Sequence, residues 1–388
     1  MSKSKRITNF KKQVDNMFSQ EYIDFIINNN NSSKPLDWYF ISANPNITME
    51  FIESNPQYPW DYQGISENSN LTIQFIKKYP NENWYWENIS RNSGIQLKDI
   101  IEYPYEPWDW KMISNNPNLT MEFIEKYIDK SGKPWSAYWI TLKMKLTMEF
   151  VEKYPEIEYN WIELSQYTNL KMDFDKYHDK DWNWRWLSEN PIITMKNIMD
   201  HPDKPWVWKY VSENPNLTIA FVLMNPDKPW DWNCISRNPG IKMENISKNP
   251  DEPWVWEYVS ENPNLTIEFI EMNPDKPWVW KWISKNPNIT IDFIDRYIDK
   301  PWDWLLLSYN PIITMEYIKM HPEKTWHWTW ISRNLYKKEK DEFLIKKYRE
   351  HLTAFKIQQK YFRCRTNPEY ALCRKQVNQF YDEVICSY

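Results

Sequence analysis

Glycine is nearly absent from this chain, with four in 388 residues. Gly64, Gly94, Gly132 and Gly240 lie too far apart to form a loop that cradles phosphate, so turns must come from Asn and Pro. Cysteine is as scarce. Cys234, Cys364, Cys373 and Cys386 lack the paired spacing of a zinc site, and no metal or cofactor is expected. The start Met1–Arg6 leads into no apolar core, so the chain reads as unsecreted and its thiols as reduced. No apolar run approaches the ~20 residues that span a bilayer. Among five histidines, His201 and His321 fill a turn slot held elsewhere by Asn or Tyr. His178, His327 and His351 have no Ser, Cys or Asp partner at a motif spacing. The reading is non-enzymatic.

What is abundant is aromatic: 26 Trp and 25 Tyr, with 27 Pro. The stretch Asn225–Pro239 holds Trp230-Asp231-Trp232, and near-copies recur every 24 residues from Trp182 to Trp326. Fixed periods of this size signal stacked repeats. Counted from the first aromatic slot, thirteen units start between Leu36 and Trp326. The first slot and the slot two later are each Trp in 11 of 13, and the slot five later is always aliphatic. The residue between the tryptophans is Asp, Asn or Ser in 8 of 13, the types that cap helices. Trp230 then staples to Ile235 across the cap, and Asn238-Pro239 stops the helix. An alternative starts the helix at Pro229, which suits Val207, Val255 and Val279. In the second half of a unit, Thr266 caps a helix that Asn273-Pro274 ends, and Leu265 staples to Ile270. Each unit is expected to hold two helices of about eight residues, too short to stand alone, with the tryptophans as core.

The expected architecture is all-α: a right-handed α-solenoid of two-helix (α/α or α/3-10) repeats. Residues 1–12 are a basic tail and 13–35 an N-terminal capping half-repeat, because Tyr22–Asn29 aligns with Thr48–Asn55. The solenoid runs over 36–335 and is irregular at 130–181, where a kink is expected. Residues 336–388 form a basic helical module. Charge follows this division. The total is −5, and the segments 1–12 and 336–388 are each +5, leaving −15 on the array.

The 24-residue unit, with its Asn-Pro turn, Thr-capped second helix and Asn-Pro-Asp turn, resembles the leucine-rich-variant repeat, whose family fold is an α-solenoid of alternating α and 3-10 helices. Its tryptophan-heavy, Lys/Asn/Ile-rich form is similar to repeat proteins of giant DNA viruses such as the mimiviruses, which implies a viral origin. It also implies a place in infected-cell cytoplasm or the virion, and no established activity. The segment Ile357–Arg374 resembles a short C-terminal module of such proteins. It also resembles an IQ motif, from which it departs at Phe362 and Cys364.

Three binding readings follow. Slots three and seven vary freely and would line one continuous face: Lys209 and Glu213, Asn233 and Arg237, Glu257 and Glu261, Lys281 and Lys285. Such a face is the usual contact surface of helical repeats, so the leading reading is a protein-interaction scaffold. The alternative is RNA or DNA binding through the basic termini, since an array at −15 repels a phosphate backbone. The third, a carbohydrate-binding aromatic ribbon, requires exposed tryptophans. The identity of a protein partner is not legible in the sequence.

Overall fold

The computed structural model describes residues 3–30, 36–127, 135–136, 138–140, 148–154, 159, 161–166, 177, 180–367, 369–372, 374–375 and 379. Much of the irregular stretch at 130–181, with its expected kink, lies outside the described residues. Those described form 25 helices and no strand, giving the all-α repeat solenoid. They divide into two compact units, Asp24–Leu335 and the pairing of Met1–Ile23 with Tyr336–Tyr388.

Within the array, first and second helices alternate, as in Trp232–Arg237 followed by Met243–Lys248. They are shorter than expected, four to seven residues. Many of the N-termini carry a side-chain cap. Asp231 sits at the N-cap of its helix and its carboxylate accepts the N–H of Cys234 at 3.2 Å. The start at Pro229 is excluded even where valine caps: the helices begin at Trp208, Trp256 and Trp280, after Val207, Val255 and Val279. In the second helices Thr266 accepts the Phe269 N–H at 3.2 Å. Where Lys242 replaces the threonine, Asn245 reaches back to the Lys242 N–H at 2.8 Å. The aliphatic fifth slot, from Ile41 to Ile331, is at most 1% exposed in every unit. That is the core stripe.

The tryptophans form a ladder between units. The first Trp of each unit packs edge-on against the second-slot aromatic of the unit before, as Trp230 does on Trp208 at 5.1 Å and Trp254 on Trp232 at 5.1 Å. Its indole N–H is satisfied at the same time by the carbonyl five residues back, Asn225 for Trp230 and His201 for Trp206. The second Trp also carries a lysine from the next turn: Lys228 lies 4.9 Å over Trp208 and Lys276 lies 4.6 Å over Trp256. These rings bury apolar area, edge-to-face energy and cation–π attraction in one place.

A second ladder is polar and buried. Asn238 donates to the carbonyls of Ser212 (2.8 Å) and Asn214 (2.9 Å) in the preceding unit and accepts the Gly240 N–H at 2.7 Å. Ser212 donates to Trp208 O at 2.9 Å and accepts the Asp231 N–H of the next unit at 3.1 Å. The same pair recurs from Ser42 and Asn68 to Ser308 and Asn310. Short helices leave many carbonyls unsatisfied at their ends, and these asparagines take them.

The array closes on itself. Asn44 of the first unit donates to Ser332 O at 2.8 Å and Asn334 O at 3.1 Å, the bonds that Asn238 makes to the unit before it. Asn46 donates to Leu335 O at 3.0 Å, where Asn70 uses Pro45 O at 2.8 Å. The Arg333 guanidinium stacks 4.5 Å over Phe40, as Arg237 does at 5.5 Å over Tyr258. The last unit has no second helix of its own; Phe25 supplies it, 6.1 Å from Trp328, as Phe269 lies 6.2 Å from Trp256. Asn29 donates to Phe25 O at 2.9 Å, repeating Asn55 on Phe51. The half-repeat thus does more than cover an open end: it completes the last unit.

In the other unit, the start of the helix Lys3–Asn29 runs antiparallel to the helix Lys337–Thr366. Tyr22 meets Tyr336, Phe18 meets Phe343 at 5.5 Å, and Phe10 stacks on His351 at 4.0 Å. Lys340 is half-buried here, 5.7 Å over the Phe18 ring, and burial pushes its ammonium below the usual lysine range. Tyr336, buried and at φ 42°, holds the left-handed turn into the long helix.

Candidate interaction face

The tightest helix pairs are all between first helices of adjacent units, such as Trp38–Ala43 with Tyr62–Glu67 and Trp232–Arg237 with Trp256–Val259. Gly64 shows how close they come: a Cβ there would meet Tyr39 O at 2.3 Å. In an array that closes, the layer with the tighter spacing is the inner one. The outward side of this layer, away from the second helices, is formed by slots three and seven, so these slots line the concave wall.

The eight residues singled out from the sequence all fall on this wall. Lys209, Asn233, Glu257, Lys281 and Lys285 are exposed; Glu213, Arg237 and Glu261 are half-buried. The seventh slots interact from unit to unit. Arg237 is 3.1 Å from Glu213 and 3.9 Å from Glu261, and Arg91 is 2.6 Å from Glu67. Glu189 faces Glu213: burial and then the neighbouring carboxylate push its pKa up, against the opposing charge of Arg185. A small polar concavity of about 340 Å³ opens where Glu67, Asn88, Arg91 and Asn115 meet. The Asn115 Oδ1 is buried there without a hydrogen-bond donor.

Cys234 lies on the same layer with its thiol 2.9 Å from Glu213. Burial first, then the glutamate, raise its pKa to about 12, so it is held as an inert thiol. Tyr39 and Tyr62 are likewise pushed up to about 12, by burial and then by Glu67 and Glu82 respectively.

Other sequence candidates come apart. His201 and His321 end second helices and offer their carbonyls to Trp206 and Trp326. No described tryptophan is among the exposed large side chains, which removes the aromatic ribbon. Among the described residues no cluster of three His, Cys, Asp or Glu could hold a metal ion, and no helix is long and apolar enough to cross a membrane. The sequence reading treated Ser236 and Asn238 only as the end of a helix. Their signal was there: Ser fills slot six in 12 of 13 units and Asn slot eight in 11. Polar residues that regular, in a chain whose surface slots vary, mark buried bonding. Compared with protein-family models, curated proteins and solved structures, the chain matches none.

Proposed function

We propose that the array is a non-enzymatic scaffold that binds protein partners on its concave wall. The observation that carries this is the division of labour among slots. The first aromatic slot and the slots two, five, six and eight after it are committed to the tryptophan ladder, the aliphatic core and the Ser/Asn ladder. Variation is concentrated where the wall is accessible, and a surface that differs from unit to unit is what recognition requires. The test compares a wall variant (Lys209→Ser, Asn233→Ser, Glu257→Ser and Lys281→Ser) with a variant carrying serines on second helices at Glu244, Glu268 and Glu316. Partners cross-linked to the full chain in the cell of origin, quantified by mass spectrometry, should be lost from the first and kept by the second. Equal recovery from both would remove the wall as the binding face. A viral origin, with residence in infected-cell cytoplasm or the virion, fits the tryptophan-rich repeat and belongs to the same proposal.

A second reading has its own support. The basic termini gather into one compact unit with seventeen Lys/Arg against nine Asp/Glu. That charge suits RNA or DNA, and binding there would weaken steeply with salt. A salt titration with fluorescent RNA tests it, and salt-independent binding would contradict it.

A further inference from the structure

The wall is not uniform. Over most of the described circuit, acids and bases alternate and neutralise each other, as in Glu213–Arg237–Glu261 and Glu67–Arg91. One arc differs. From the unit starting at Trp278, through the closure seam, to the first unit, slots three and seven hold Lys281, Lys285, Leu305, Tyr309, Thr329, Arg333, Tyr39 and Ala43. None is acidic. Among the described residues no carboxylate pairs with Lys281, Lys285 or Arg333, and all three are exposed. Between them stand apolar groups that the rest of the fold leaves in solvent: Leu305 is 43% exposed and Tyr309 61%. Tyr309 is braced edge-on by Trp330 at 5.7 Å, so its ring is oriented and still open.

We propose that this arc is a docking site for an acidic peptide segment carrying a central leucine or aromatic side chain. The inference rests on the scaffold reading and narrows it to a place and a partner chemistry. Complementarity makes the argument. Three uncompensated cations attract carboxylates, while the Glu261 and Glu67 that flank the arc are each already engaged by an arginine. Aromatic and arginine side chains that are exposed and held in place are the anchors on which interface energy concentrates. The spacing suits an extended chain. Lys285 and Arg333 are two units apart, roughly 16–20 Å at the usual interhelix distance, and about five or six residues in extended form cover that span. A nucleic-acid strand fits less well. Three cations make few phosphate contacts, a leucine offers no platform for a base, and the wall on either side is lined with glutamates.

The experiment uses the full chain and a short fluorescent peptide in which two acidic clusters flank a Leu-Phe pair. Fluorescence anisotropy should show saturable binding. Lys281→Glu/Lys285→Glu and, separately, Leu305→Ser should each weaken it by about tenfold, the effect of one good contact, with the circular dichroism spectrum unchanged. All three positions are exposed, so folding is not at stake. Binding that neither variant weakens would overturn the proposal, and so would absence of binding. Tighter binding of a labelled oligothymidylate, weakened by the same variants, would assign the arc to nucleic acid and also overturn it. None of these failures touches the scaffold reading, which stands or falls on the cellular comparison of wall and second-helix variants.

Discussion

At the residue scale, the array depends on side chains that do two jobs. Asn238 is the clearest, because it makes buried bonds to two carbonyls of the previous unit and also accepts one N–H of its own turn. Asn238→Ala leaves those groups without partners, at about 1–3 kcal/mol for each buried orphan. Asp231→Ala removes a cap of about 1 kcal/mol. Urea titration followed by tryptophan emission should therefore place Asn238→Ala well below Asp231→Ala in stability; the reverse order would contradict the ladder. The cap was legible in the sequence because its bonds reach two or three residues along the chain. The ladder was not, because its bonds reach back 24 and 26 residues and no local pattern reveals where a buried amide points. Cys234 gives a second test. With a pKa near 12, it should resist a thiol-specific reagent at neutral pH in the folded chain and react only on unfolding.

Titration acts at this scale too. Tyr39 and Tyr62 have folded pKa values of about 12 against an ordinary 10. The folded state therefore holds protons that the unfolded state has released, and stability falls as pH rises. Their contribution is fully present below pH about 10 and is lost between about 10 and 12. A chemical-denaturation midpoint that drops through that window, alongside tyrosinate absorbance, is the expected result. Tyr39→Phe/Tyr62→Phe should flatten the drop.

At the scale of elements, helices of four to seven residues have almost no stability alone. The sequence predicted two per unit and placed both caps, but made them too long. Only the alternative start at Pro229 counted Pro229 and Trp230 into the helix, and Trp230 serves the ladder instead. The half-repeat at residues 13–35 was visible as a second helix without a first. Its destination was not, although the complementary gap stood at the other end, where the last unit ends at Asn334 with a first helix and no second. Which unit an orphan helix joins depends on the curvature summed over every stack, and curvature is not written in any one repeat. Phe25→Ala removes the ring that stands in the last unit, a core truncation of about 3–5 kcal/mol. Hydrogen exchange should speed up in Trp328–Ile331 and in Trp38–Ala43 while the units around Trp232 keep their protection. Uniform loss of protection everywhere would contradict the local role of Phe25. Gly64→Val is expected to disturb the first stack, since the side chain would enter the Tyr39 carbonyl.

For the molecule as a whole, closure changes what a repeat array can be. An open solenoid has two exposed ends that need capping repeats; here the ends of Asp24–Leu335 satisfy each other through Asn44 and Asn46. The wall that results was partly legible. Its slots were named from their variation, and five of the eight residues named from sequence are exposed and three half-buried. The acid-free arc was missed because it spans the seam, joining Lys281 and Tyr309 to Tyr39 across the two ends of the array. Closure itself is the claim on which the arc and the orphan helix both rest. Cysteines placed at Ala43 and Arg333, with the native cysteines replaced by serine, test it directly. A short bifunctional cross-linker should join them within one chain as efficiently as cysteines at Arg237 and Glu261, which occupy the same slot in adjacent units. Cross-linking of the 237–261 pair with none at 43–333 would show an open array and contradict the account.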